Sequence, residues 1–130
     1  MANPNIVAVT TITGNTTYLT PSGTSAVVLL PNAASSNKVF KINQIVVANT
    51  TASAANTTVS LYTTGAVAQG SAPSGGTAFP IVSTVSVPAN ASLIAVDKTT
   101  AIYLQEGTSI TVTSGTGSAL TYSISYEDIS

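Results

Sequence analysis

The sequence contains no cysteine, histidine, arginine or tryptophan in its 130 residues. The lack of cysteine excludes a disulfide framework and thiol chemistry. Without histidine or cysteine, the usual Ser-His and Cys-His catalytic arrangements and most zinc sites are also excluded. We therefore expect no enzymatic activity, no catalytic residue, and no residue that holds a cofactor or a metal.

Charged residues are scarce as well. They make up 5% of the chain, against roughly 25% in an ordinary soluble domain. Three lysines and a net charge of −1 are too few to neutralise a run of phosphates, so we expect no nucleic acid partner. Because interface cores are poor in charge, much of the surface is expected to contact other protein. The alternative is a monomer whose surface is hydrated by Thr and Ser.

The few acidic residues allow two weak possibilities, glycosidase catalysis and calcium binding. A glycosidase can use two carboxylates alone, but Glu127 and Asp128 are adjacent and would point to opposite faces of a strand. Asp97 and Glu106, together with backbone carbonyls, would form at best a weak calcium site. We retain the prediction of no metal and no cofactor.

No apolar run approaches the roughly 18 residues that a membrane-spanning helix needs. The first five residues lack the basic segment of a signal peptide. We therefore expect no membrane contact. We also expect the protein to be made in a cytoplasm, where it either stays or becomes part of a particle that leaves the cell.

Short β-type segments separated by Gly, Pro, Asn and Ser dominate the chain, and no window shows helical spacing. The clearest strand places Leu120, Tyr122 and Ile124 on one face and polar residues on the other. The predicted strands are residues 5–13, 16–19, 25–30, 38–49, 57–63, 81–87, 93–96, 101–104, 109–113 and 120–127. This spacing predicts an all-β, antiparallel, single-domain β-sandwich or jelly roll over residues 1–130.

One predicted strand changes its alternation midway. Phe40 and Ile42 have one parity, whereas Ile45 and Val47 have the other. Either a β-bulge near residues 43–44 reverses the register, or the strand is buried on both faces.

Two segments are rich in small or polar residues. Residues 64–77 predict a flexible loop, and the alternative is an arm that becomes ordered on a neighbouring subunit. Residues 1–5 have the same two interpretations, as a flexible end or as an N-terminal arm.

A sugar-binding surface would need exposed aromatic side chains. Tyr122 and Tyr126 share their face with apolar residues, which predicts that they belong to the core. Tyr62 has the opposite parity to Val59 and Leu61, and is therefore the aromatic residue expected to be exposed.

Five segments carry a similarity to a known family. They are NPNIV at 3–7, KVFKIN and IVVAN within 38–49, VSVPANA at 85–91, IYLQEG at 102–107, and SYEDIS at 125–130. In this order they resemble small virion structural proteins of tailed phages, notably phages that infect cyanobacteria.

The resemblance implies a protein of the mature virion that is made in the cytoplasm of the bacterial host. Capsid decoration (cement) proteins are the first expectation, because they are commonly small, β-rich and trimeric. We accordingly expect a homo-oligomer, a trimer, bound to the major capsid protein. A tail, neck or fibre position is the alternative, although no internal repeat of a fibre shaft is present. A carbohydrate-binding adhesion module is a further alternative.

Overall fold

The computed structural model describes residues 4–130, so Met1–Asn3 of the expected N-terminal arm lie outside the described residues. The strands are β1 (Ile12–Leu19), β2 (Val27–Pro31), β3 (Val39–Asn49), β4 (Ala55–Tyr62), β5 (Ala78–Val87), β6 (Ser92–Val96), β7 (Ile102–Leu104), β8 (Ser109–Ser114) and β9 (Leu120–Ile129). A single-turn 3-10 helix, Lys98–Thr100, separates β6 from β7. No helix in the described part of the chain is long and apolar enough to span a membrane.

The strands form two antiparallel sheets that pack face to face. Sheet I has the order β1-β9-β3-β6, and the short β7 also pairs with β3. Sheet II has the order β2-β8-β4-β5. Apart from β7, this is the strand order of an eight-stranded jelly roll. The predicted all-β, antiparallel sandwich is therefore confirmed.

The core between the sheets follows from alternating apolar residues. In β9, Leu120, Tyr122 and Ile124 are fully buried and alternate with polar residues, as their spacing predicted. In β3, the pairing with β9 skips a residue between Ile42 and Gln44, so the β-bulge is the one of the two predicted alternatives that the structure confirms. This bulge lets residues of both parities in β3 enter the same core.

The prediction of a strand at residues 5–13 is wrong. The chain makes a turn at this point, where the Asn5 side-chain oxygen accepts a hydrogen bond of 2.9 Å from the Val7 N–H. Strand β1 begins only at Ile12 and runs without interruption through residues 14–15, which lie between two segments predicted as separate strands. Continuous pairing with β9 overrides the local turn preference. The other predicted strands overlap observed ones, with displaced ends.

The small-residue segment 64–77 lies along β2. The Gly70 N–H donates to the Val28 carbonyl at 2.8 Å, and the Val28 N–H donates to the Ser71 carbonyl at 2.9 Å. The Gln69 amide adds a hydrogen bond of 2.9 Å to the Leu29 carbonyl. These contacts cover the edge of sheet II that β2 forms. The flexibility expected for this segment stays a prediction.

Three buried polar side chains join the two sheets. The Tyr122 hydroxyl of sheet I lies 2.7 Å from the Thr57 hydroxyl and donates to the Thr113 carbonyl at 3.0 Å, both in sheet II. Asn49 in β3 donates to the Val87 carbonyl at the end of β5. Asn32, directly after β2, donates to the carbonyls of Lys38 and Leu104 at 3.0 Å each. A shift of one sheet against the other would leave these buried groups unsatisfied, which is costly.

Removal of the Tyr122 hydroxyl should destabilise the fold. We expect Tyr122→Phe to lower the free energy of unfolding by about 1–3 kcal/mol, because Thr57 and the Thr113 carbonyl lose a buried partner. Urea denaturation measures this change. The control is Tyr18→Phe, which alters an exposed ring and should leave the midpoint nearly unchanged. Equal midpoints for the two variants would contradict the role of Tyr122.

The same hydroxyl predicts sensitivity to alkali. Burial raises the pKa of Tyr122 above its ordinary value of 10.0, although the hydrogen bond from Thr57 opposes the shift. A raised pKa in the folded state means that the stabilisation is fully present below pH 10.0 and is lost as the pH rises above it. The melting temperature of the unmodified protein should therefore fall more steeply above this pH than that of Tyr122→Phe. Parallel curves would contradict the prediction.

Candidate functional site

Two of the acids named from the sequence form ion pairs where β3 begins and β9 ends. Asp128 lies 2.9 Å from the Lys38 ammonium, and Glu127 lies 3.8 Å from that of Lys41. Glu127 also accepts a hydrogen bond of 3.2 Å from the Asn43 amide. These partly exposed groups tie the two strands together.

The other two acids accept hydrogen bonds from backbone N–H groups, Asp97 from its own turn and Glu106 from a distant segment. Asp97 caps the 3-10 helix, and hydrogen bonds from the Thr99 hydroxyl and amide lower the pKa of its carboxyl. Glu106 accepts a hydrogen bond of 2.7 Å from the Asn37 N–H. Within residues 4–130, no three His, Cys, Asp or Glu side chains cluster where they could hold a metal ion.

The candidate site is a cleft where the two sheets meet at one end of the sandwich. Sheet II contributes the end of β4 and the start of β5, and sheet I contributes β7 and the turn after it. The cleft has a volume of about 290 Å³ and is lined by Leu61, Tyr62, Thr63, Phe79, Tyr103, Gln105 and Thr108. Among the residues that the structure describes, no charged side chain lines it.

Two aromatic rings on opposite sheets border the cleft. Phe79 in β5 pairs with Leu61 of β4, and its side chain is 57% exposed. Tyr103 in β7 pairs with Lys41 of β3 and is 50% exposed. Leu104, its neighbour, points into the core, so the alternation of the strand directs Tyr103 outward.

The prediction that Tyr62 is the exposed aromatic residue is wrong, because it is only 8% exposed. The chain after β4 folds back onto its ring, and the Gly76 N–H donates to the Tyr62 hydroxyl at 3.0 Å. A Cβ atom at Gly76 would lie 2.8 Å from the ring, so this close approach requires glycine. Tyr62 therefore forms part of the cleft wall and is not a free stacking surface.

A second groove of about 230 Å³ lies on the other side of Tyr103. Its lining includes Pro4, Ile6 and Val39, and it shares Tyr103 and Gln105 with the first cleft. Phe79, Tyr103 and Ile6, each about half exposed, thus lie along two adjoining grooves. We call these three residues, two aromatic and one aliphatic, the aromatic surface.

The cleft suits an uncharged ligand or an apolar part of a protein. Aromatic walls with a few polar groups, here the side chains of Gln105 and Thr108, are typical of binding pockets. The sequence pattern did not predict the exposure of either aromatic residue of the cleft, Phe79 or Tyr103. The alternation of residues 102–104 is a signal for Tyr103, whereas Phe79 lies outside every predicted strand and has no comparable signal.

Substitution of Gly76 should disturb the cleft. We expect Gly76→Ala to lower the free energy of unfolding by about 1–3 kcal/mol, because its methyl group would overlap the backbone of Thr64 and the Tyr62 ring. Thermal or urea denaturation measures the loss. Gly23→Ala is the matched control, since no atom lies within 4 Å of a Cβ placed there. An equal effect at both positions would refute the proposed close contact.

The comparisons with known proteins identify no relative. No protein-family model, no curated protein and no solved structure matches the chain.

Proposed function

We propose that this chain is a non-enzymatic structural protein of a tailed-phage virion. Within the virion, we propose that it is a capsid decoration (cement) protein, made in the host cytoplasm, that binds the major capsid protein and stabilises the head. The observation that carries this proposal is the aromatic surface of Phe79, Tyr103 and Ile6. Exposed apolar groups gathered along adjoining grooves are typical of protein interaction sites.

The composition of this surface supports protein binding. Aromatic side chains that fill pockets contribute much of the free energy of protein interfaces. No ion has to be desolvated in the cleft, because its lining carries no charge. The jelly roll also occurs in viral capsid domains and lectins, which is support by analogy of fold alone.

Several weak contacts would suffice in a particle. A homo-oligomer engages its shell at several points, and the linked contacts raise the effective concentration of each. The trimer expected from the resemblance stays a prediction, and light scattering of the purified protein measures it.

The docking prediction concerns the aromatic surface. We expect Phe79→Ser with Tyr103→Ser to reduce co-sedimentation with phage heads that lack this protein by on the order of tenfold or more. Binding should change little between low and moderate salt, because the contact has few charges. Pelleted protein is quantified across a concentration series.

The control is Ile94→Ser, which removes a side chain of comparable exposure, 58%, on β6. This variant should bind heads normally. Binding of the unmodified protein to tails and not to heads would favour the tail, neck or fibre alternative and overturn the cement assignment. Binding to neither would contradict the virion proposal.

A carbohydrate-binding adhesion module is the second candidate. The supporting observation is the pair of exposed rings, Phe79 and Tyr103, at a cleft that also contains Gln105 and Thr108. The rings would stack on the apolar face of a pyranose, and the two polar side chains would hydrogen-bond its hydroxyls. An uncharged lining favours a neutral sugar.

A glycan array tests this second candidate. If it is correct, the protein binds a neutral glycan, and either Phe79→Ala or Tyr103→Ala reduces that binding by about tenfold while the melting temperature stays within a few degrees. Ile94→Ala is the control with unchanged binding. Tyr62→Ala is unsuitable, because it would also remove a buried side chain. Absence of glycan binding by the unmodified protein would reject this candidate.

A further inference from the structure

Strand β1 lies at the edge of sheet I, and no strand within residues 4–130 pairs with its outer side. Thr11 and Ser130 exchange both backbone hydrogen bonds, each at 3.0 Å. Because antiparallel pairs alternate between hydrogen-bonded and non-hydrogen-bonded, the odd residues of β1 pair with β9. The even residues, Ile12, Gly14, Thr16 and Tyr18, therefore direct their N–H and C=O groups to the open edge.

The remaining edges of the sandwich are protected. Segment 70–71 hydrogen-bonds along β2. Strand β5 contains Pro80, has irregular pairing with β4, and bends at Thr84, whose φ is +52°. Strand β7 has only three residues, and β6 is short with an irregular register. Proline, bulges and short length are the usual protections of a sheet edge.

Strand β1 has none of these protections. Its eight residues, ITGNTTYL, include no charge and no proline, and its register with β9 contains no bulge. Two large apolar side chains on its even-numbered face, Ile12 and Tyr18, are 56% and 72% exposed. A long, regular, uncharged edge is a template for another strand.

We propose that a second copy of this chain pairs antiparallel with β1, so that sheet I continues across a two-fold axis. A copy of the same strand fits because an uncharged edge meets no like-charge repulsion from itself. With the axis at Asn15, Gly14 pairs with Thr16 of the second copy, and Ile12 with Tyr18. In this register, Ile12 of each copy lies directly beside Tyr18 of the other copy, so the two-fold axis produces two such apolar pairs. An axis at Gly14 would instead place Ile12 beside Thr16 and leave Tyr18 uncovered.

Gln69 contacts the outer side of β1 at one end. Among the described residues, the Gln69 side-chain amide donates a hydrogen bond to the Tyr18 carbonyl, which belongs to the outward-directed backbone groups of β1. At 3.4 Å, this is the longest of the three hydrogen bonds that the amide makes. A carbonyl oxygen has two lone pairs, so a strand from the second copy can still bond to Tyr18. The proposed pairing therefore uses the full set of even residues.

A cysteine scan tests the register, and the natural absence of cysteine makes it unambiguous. At the axis, the two Asn15 Cα atoms would be about 4.5 Å apart, within the range that a disulfide bridges. Asn15→Cys should therefore oxidise to a covalent dimer. Thr13→Cys, on the same face, is the matched control; its two copies would be about 13 Å apart and should not cross-link. Equal cross-linking of both variants, or of neither, would overturn the proposal.

A charge exchange at the axis is an independent test. Asn15→Lys alone and Asn15→Asp alone should each weaken dimerisation by on the order of tenfold, because two like charges face each other. An equimolar mixture of the two variants should recover the dimer, as measured by light scattering. The two-fold pairing competes with the trimer expected from the resemblance. An unmodified protein that is monomeric at high micromolar concentration, or that forms only this trimer, would overturn the two-fold pairing. Neither result would affect head or glycan binding through the aromatic surface, which is measured separately.

Discussion

The structure depends on a few hydrogen bonds made by uncharged side chains across its core. Tyr122, Asn49 and Asn32 each reach from one sheet to the other. Apolar packing alone tolerates small displacements, but a buried donor or acceptor has to meet its partner. Asn32 bonds the carbonyl of Leu104, the residue after Tyr103, so the same constraint positions one wall of the aromatic cleft. Fold and candidate site therefore share one set of interactions.

The sequence pattern predicts the fold well where a strand is paired on both sides and buried on one face. The alternation in β9 and the parity change in β3 are of this kind, since each reflects contact with the core. The first half of strand β1 is not predicted correctly, because its exposed residues have no apolar pattern and only the pairing with β9 continues the strand through Gly14. The predicted strand at residues 16–19 lies within β1. Tyr62 was misjudged because segment 64–77, which follows it, folds back to cover its ring. Such coverage depends on a distant part of the chain and leaves no periodic signal.

Hydroxyl groups replace much of the charge on the outer face of sheet I. Thr16 meets Ser125 at 3.0 Å and Thr20 meets Thr121 at 2.8 Å, both between side chains of neighbouring chain segments. These cross-strand pairs keep the face polar without ions, and their strength does not depend on ionic screening. A hydroxyl-rich surface is hydrated, yet its desolvation against a neighbouring protein costs less free energy than that of a charged surface.

The position of β9 has a consequence for the order in which the chain folds during translation. All four strands of sheet II have been synthesised when Ser114 leaves the ribosome, so that sheet can pair early. Sheet I cannot be completed early, because β9 lies between β1 and β3 and is the last strand of this sheet to be made. The nascent chain must keep β1 unpaired until nearly all of the described sequence has emerged. Completion of sheet I therefore waits for β9, and it depends on contacts between residues more than a hundred positions apart, which slows it.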